Sequence, residues 1–256
     1  IFLAWGIRSG QPMELLFRAF LYVEFMLSIA CLCRLAKHVG RSKGLSSGDF
    51  LNHVRFGSKV FLGSSLLAVN DRVAVLLLVA FLPYREVGIF SFAFEFAKGL
   101  LAFTQVIQMN FNPIISRLSA LKDSDGLLSN IKRIQRVVDK LAIVILLTAA
   151  IGFPAYIFLL MEGGFYQSLG VFYILLVGVS FALMYFWMGS LLTMTGRPGD
   201  SFWRNLIYLA CTVVFNLILI PLLGIYGAAL ATSATYFVRI LTLRIFVARR
   251  LGIVIG

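Results

Sequence analysis

The sequence predicts an all-α fold, a polytopic transmembrane helical bundle of about seven spanning helices. Three observations carry that prediction. Continuous apolar runs of about 20 residues recur along the chain, the length a helix needs to cross roughly 30 Å of hydrocarbon. Lys and Arg gather in alternate connections between those runs. The few polar residues inside the runs keep to restricted helix faces. Composition agrees: 60% of the residues are hydrophobic and 13% are charged, against about 45–50% and about 25% in soluble domains. A disordered chain and an ordinary soluble enzyme are excluded. A β-barrel is disfavoured, because its strands alternate in polarity over about ten residues. On a soluble protein the net charge of +12 would point to nucleic acid. Here it reads as cations collected on one membrane face, and no nucleic-acid partner is expected.

The first span covers about 12–35 and carries Arg18 and Glu24. Arg18 lies near its start, where a long side chain can snorkel to the interface; Glu24 sits deeper. The opening IFLAWG reads as the tail of a preceding helix, so an upstream part of a longer protein is expected. A basic loop over 37–56 follows, with Lys37, Arg41, Lys43 and Arg55, and room for a short interfacial helix over 48–56. His38 and His53 fall in or beside this loop, and no metal role is assigned to them. Cys31, Cys33 and Cys211 lie in apolar runs and are expected to be packing residues. Cys31 and Cys33, two apart, point to different helix faces.

The second span, 57–82, holds Asn70, Asp71 and Arg72 near its middle. A charge at the centre of a membrane helix costs roughly 2.5–3.5 kcal/mol on insertion scales, so such residues face a bundle interior or a wet cavity. Gly57, Ser64, Ala68 and Asp71 fall within roughly 60° of one another on this helix, a small and polar face. Pro83 then breaks the chain.

The third span, about 87–111, carries Glu95, Lys98, Gln105, Gln108 and Asn112 within an arc of roughly 140°. Glu95 and Lys98 are helical neighbours that can pair. The stripe runs for several turns and predicts a lined conduit. Pro113 is expected to end this helix. The charged stretch 114–136 then reads as a helix leaving the membrane and an amphipathic surface helix over 126–137.

The fourth span, about 137–161, is expected to kink at Gly152 and Pro154. The fifth, 169–194, has no charge, and its aromatics predict core or lipid contact. The turn TGRPGDSFWR follows, with Asp200 or Ser201 as the helix cap and Trp203 as an interfacial anchor. The sixth span, 202–220, contains Asn205 and Asn216. The seventh, about 225–247, opens GAALATSAT and carries Arg239 inside the span. Gly227, Ala231 and Thr235 there allow close helix approach.

The connections after the first, third and fifth spans, with the C-terminus, hold nearly all the loop Lys and Arg. The opposite side holds Arg8 and Arg85. This asymmetry puts the C-terminus in the cytoplasm and Ile1 on the far side. The far-side loops are short, and no HExxH or Walker motif is present. An enzyme is not expected, nor a cofactor or a bound metal.

The run Asn216-Leu-Ile-Leu-Ile-Pro221-Leu-Leu-Gly224-Ile-Tyr-Gly227-Ala-Ala-Leu-Ala-Thr232 resembles the late hairpin of the Wzx-type polysaccharide flippases, members of the MOP superfamily with the MATE exporters and lipid II flippases. Asn70-Asp71-Arg72, followed by Val87-Gly88-Ile89-Phe90-Ser91-Phe92-Ala93-Phe94, resembles the block that opens their second lobe. Phe90 stands where Tyr is common, and a Gly often seen soon after the Asp-Arg is absent. The resemblance implies that 57–250 is the six-helix second lobe of a twelve-helix transporter. Residues 1–36 would end a first lobe, 37–56 would join the lobes, and 251–256 would be a tail. It further implies alternating access of a central cavity in the bacterial inner membrane. The cargo would be an undecaprenyl-pyrophosphate-linked oligosaccharide for O-antigen or capsule. Cations are needed to offset the desolvation of its phosphates.

The candidate substrate-binding residues are Arg72, Lys98, Arg18, Arg239, Gln105 and Gln108. Asp71, Glu95 and Glu24 are candidates for charge pairing or for coupling to H⁺ or Na⁺. Phe94 and Tyr185 would stack on sugars, or pack in the core. Expected partners are the lipid-linked oligosaccharide, membrane lipids and the missing first lobe. The alternatives are a MATE-like exporter of small molecules, a membrane enzyme of glycan assembly such as an O-antigen polymerase, and an inactive half-transporter.

Overall fold

The computed structural model describes residues 13–38, 47–121, 124–161 and 165–251. By their contacts these fall into two compact units, one ending at His53 and one beginning at Val54. In the first unit, helix α1 runs over Met13–His38, 26 residues and long enough to cross a bilayer. Cys31 and Cys33 stand exposed on it, not packed. Glu24 is exposed as well.

The remaining helices are α2 (Ser47–Phe81), α3 (Tyr84–Leu100), α4 (Ala102–Ala120), α5 (Ser124–Leu160), α6 (Gln167–Tyr185), a 3₁₀ turn (Phe186–Ser190), α7 (Leu191–Met194) and α8 (Pro198–Leu251). Among the described residues there is no strand. Among the described residues five helical stretches are long and apolar enough to cross a membrane: Phe50–Phe81, Tyr84–Ala120, Leu128–Leu159, Gln167–Met194 and Pro198–Arg249. The last is two helices joined across Gly224, whose φ of 58° and ψ of −133° leave the helical region. The all-α bundle expected from the sequence is what forms.

Several boundaries differ from the sequence reading, each for a physical reason. The part of the basic loop from Ser47 on is helical, because α2 continues without a break into the span. Pro113 does not end its helix: α4 carries it internally and runs on to Ala120. A membrane helix tolerates an internal Pro when neighbouring groups take up the freed backbone. The break in this region falls instead at Leu101, whose N–H bonds the Lys98 carbonyl in a tightened turn. The surface helix expected over 126–137 is the start of α5, whose 37 residues also contain Pro154. Its Ile131, Ile134 and Val138 are buried, while Lys132, Arg133 and Arg136 are exposed. Finally, α8 begins at Pro198, ahead of Asp200 and Ser201. A Pro suits the first helical position, where an N–H would have no partner anyway.

The apolar α6 is the hub. A helix hydrophobic on all sides belongs in a core, and α6 packs against α3, α5 and α8. Val171, Phe172, Leu175 and Ala182 are fully buried. Phe172 stacks on Phe153 of α5 with ring centroids 4.0 Å apart, and Phe96 of α3 closes on both rings. A second apolar cluster gathers Ile115, Ile131, Ile134 and Val138 with Trp187, Leu191, Leu243 and Val247. The two cores meet where α3 breaks into α4 and where α6 tightens into the 3₁₀ turn.

Two close approaches hold α8 in place. A Cβ on Gly227 would lie 2.0 Å from the Leu219 carbonyl oxygen, so the Pro221–Gly224–Gly227 pattern closes the bend only with glycine there. A Cβ on Gly178 would lie 2.5 Å from Ser233 Cα, and the Ser233 hydroxyl donates to the Ile174 carbonyl at 2.8 Å. Gly178→Leu therefore overpacks the α6–α8 contact, at a cost of about 1–3 kcal/mol or more. We expect it to lower the melting temperature in detergent by several degrees. Gly57→Ala, with nothing within 4 Å of its new Cβ, should melt like the wild type.

Candidate functional site

Charged and polar residues of the second unit line a cavity of about 680 Å³. Helix α2 contributes Lys59, Gly63, Ser64 and Asp71 to its wall. The α3–α4 pair contributes Glu95, Lys98, Gln105 and Gln108. The 3₁₀ turn brings Phe186, Gly189 and Ser190, and α8 brings Arg204, Asn205, Tyr236 and Arg239.

Asp71 and Arg72, adjacent on α2, meet opposite charges on α3. Lys98 Nζ lies 2.9 Å from Asp71 Oδ2, and Arg72 Nη1 lies 3.5 Å from Glu95 Oε1. The pairs thus cross between helices, where the sequence offered pairing of Glu95 with Lys98 inside one helix. Crossing gives each charge on α2 a partner, which an intrahelical Glu95–Lys98 bond would not. Lys98 also sits above the Phe94 ring, 5.9 Å from its centroid. The Asn205 amide donates to the Gly63 carbonyl at 3.0 Å and ties α2 to α8.

Of the residues singled out from sequence, Lys98, Asp71, Glu95, Gln105, Gln108 and Arg239 line this one space. Arg72 reaches it only through Glu95, its side chain 69% exposed. Arg18 and Glu24 belong to the first unit, and the Arg18 side chain lies outside the described residues. Asn112 accepts a hydrogen bond from Ser190, fastening α4 to the 3₁₀ turn. Phe94 is buried and stacked on Phe90, and the Tyr185 hydroxyl accepts from Arg244.

Sequence reasoning missed Arg204 and Lys59. Arg204 is 2% exposed. Its Nη2 donates to the Gly189 carbonyl at 2.9 Å and to Asn205 Oδ1 at 3.2 Å. The signal was present: Arg204, Tyr208, Thr212 and Asn216 recur every four residues, a polar stripe along one face of α8, and all four are buried. Its first member was hidden by the GRPGD turn beside it, which reads as a solvated loop. Arg239 stacks its guanidinium 3.9 Å from the Phe186 ring centroid. Among the described residues no carboxylate lies within ion-pair distance of Lys59, Arg204 or Arg239. Among the described residues four cationic and two acidic side chains line the cavity, a formal excess of two positive charges. The wall of this space therefore carries a net positive charge.

If the crossed pairs tie α2 to α3, Asp71→Asn and Lys98→Gln should not add. A double-mutant cycle on the unfolding equilibrium in mixed micelles should return a coupling of about 0.5–1 kcal/mol, the upper part of the range for partly exposed pairs. Additive single effects would mean that the 2.9 Å contact contributes nothing.

No family model matches the chain, and no curated protein matches it. Among solved structures, the chain is similar to a MOP superfamily transporter from Pyrococcus furiosus, at 19% identity and a TM-score of 0.64. The likeness covers 79% of this chain and 46% of that one, so the chain spans about half the length of its structural neighbour. At that identity the likeness is one of fold: most of the chain shares the helical fold of about half of that structure, and its long apolar helices mark it as a multi-pass membrane protein.

Proposed function

We propose that the protein is a carrier, not an enzyme, and that it moves an undecaprenyl-pyrophosphate-linked oligosaccharide of O-antigen or capsule type across the bacterial inner membrane by alternating access. The observation that carries this reading is the excess of cations over acids in a cavity set inside an apolar bundle. A pyrophosphate crossing hydrocarbon must exchange its water for fixed donors and charges. Lys98 and Arg239 provide them in the cavity wall, and Gln105 and Gln108 suit sugar hydroxyls. Arg72 reaches this wall through Glu95, and Arg18 on α1 is the remaining candidate. Asp71 and Glu95 would hold Lys98 and Arg72 while the cavity is empty. They, with Glu24, are the candidates for H⁺ or Na⁺ coupling. The cation excess counts against a MATE-like site for cationic drugs, which needs net acid.

The membrane orientation follows from charge. Exposed Arg117, Lys132, Arg133, Arg136 and Arg249 surround the second apolar cluster at one end of the bundle. That end is cytoplasmic in this reading. A partner lobe would close the cavity, since the chain spans 46% of its structural neighbour's length.

The test is glycolipid translocation in proteoliposomes. Lys98→Ala should lower the rate about tenfold, equivalent to ~1.4 kcal/mol, at unchanged protein level. Arg72→Ala should lower it too, by a smaller factor, because Arg72 acts through Glu95. Wild-type rates in both variants would remove these residues from the mechanism. Altered glycan chain length with normal export would point to a polymerase instead.

A further inference from the structure

The cavity's charges are of two kinds. Asp71, Arg72, Glu95 and Lys98 neutralise one another in crossed pairs. Arg204 and Arg239 have no carboxylate partner among the described residues, yet both reach the same backbone point. Arg204 Nη2 bonds the Gly189 carbonyl at 2.9 Å. A Cβ built on Gly189 would lie 3.8 Å from Arg239 Nη2 and 3.8 Å from Gln108 Nε2, with no other atom within 4 Å. Arg204 Nε is buried and has no hydrogen-bond partner among the described residues. Leaving a buried guanidinium donor unmet and two cations without a carboxylate is costly in a low-dielectric interior. The tightened turn at 186–190 presents this glycine to the cavity, and the missing side chain leaves open the room that the donors face.

The geometry points to a phosphoryl-binding subsite formed by Arg204, Arg239 and Gln108 around Gly189, separate from the crossed ion pairs. Two planar guanidiniums and an amide match the several oxygens of a phosphate or diphosphate, which accept bidentate donors. An anion there would compensate both cations together. The subsite rests on the carrier reading only for the identity of its cargo. A free phosphate, a phosphorylated cargo and a lipid headgroup share the required chemistry.

The test is calorimetric titration of the protein, in phosphatidylcholine nanodiscs, with inorganic pyrophosphate. The wild type should bind. Arg204→Gln and Arg239→Gln should each weaken binding at least tenfold, and Arg204→Lys should recover part of the loss. Gly189→Ala places a methyl in the cradle without removing a charge, at ordinary contact distance, and should weaken binding severalfold. It decides the matter if Arg204→Gln does not fold. Arg133→Gln, on the exposed face of α5, should bind as the wild type does. Replacing part of the phosphatidylcholine with phosphatidylglycerol identifies the source. Competition that disappears in Arg204→Gln makes the occupant a lipid headgroup, and no competition makes it a free or cargo phosphate; both place the anion on Arg204. The subsite is overturned if pyrophosphate does not bind, or if Arg204→Gln and Gly189→Ala bind it normally. It is also overturned if Lys98→Gln abolishes binding while Arg204→Gln retains it. Lost glycolipid transport with intact pyrophosphate binding would reject the cargo and leave the subsite standing.

Discussion

Charge inside an apolar bundle is the constraint from which the second unit is organised. Asp71 and Arg72 are adjacent on α2, and each finds its opposite on α3, at Lys98 and Glu95. A single ionised group at bilayer depth costs several kcal/mol unless it is paired or wetted. Pairing across helices satisfies four charges together and fixes how α2 stands against α3. Everything polar nearby then has reason to share the same space. Gln105 and Gln108 continue the stripe on α4, and Arg204 and Asn205 approach from α8.

The backbone is bent to make that space. The helix carrying Lys98 breaks at Leu101, and the helix carrying Trp187 tightens into a 3₁₀ turn at Phe186–Ser190. Both interruptions also contribute to the apolar cores: Leu101 belongs to the first, and Trp187 and Met188 to the second. Irregular backbone in a membrane protein is tolerated where it is buried in protein or lines a wet cavity. Here the 3₁₀ turn gives its Gly189 carbonyl to Arg204, and Ser190 reaches Asn112 on α4. The interruption of the helices and the chemistry of the cavity are thus one feature.

The sequence made much of this legible. Long apolar runs made the all-α class legible, because length and hydropathy are local properties. The arc of Glu95, Lys98, Gln105 and Gln108 was legible because helical period converts spacing into a face. Gly224 and Gly227 were legible as a motif, and the structure gives their reason: one positive φ and one contact too tight for a side chain. Three things were not legible. The crossed pairing needed the relative placement of α2 and α3, which no single helix encodes. Arg204 was masked by a turn composition that resembles a loop. The 3₁₀ turn has no signature in Phe-Trp-Met-Gly-Ser, since its cause is the tertiary demand of the cavity. Pro113 was misread for the opposite reason: a strong local signal was overridden by the surrounding bundle.

Solvent access to single cysteines tests most directly whether the charged residues share a water-filled cavity. In a background with Cys31, Cys33 and Cys211 replaced by Ser, a charged methanethiosulfonate reagent should modify Ser64→Cys, Gln105→Cys and Thr193→Cys. It should leave Val177→Cys and Leu147→Cys, on the exposed apolar faces of α6 and α5, unreacted in the membrane. Cavity positions no more reactive than Val177→Cys and Leu147→Cys would mean that no wet space joins Asp71, Glu95 and Lys98.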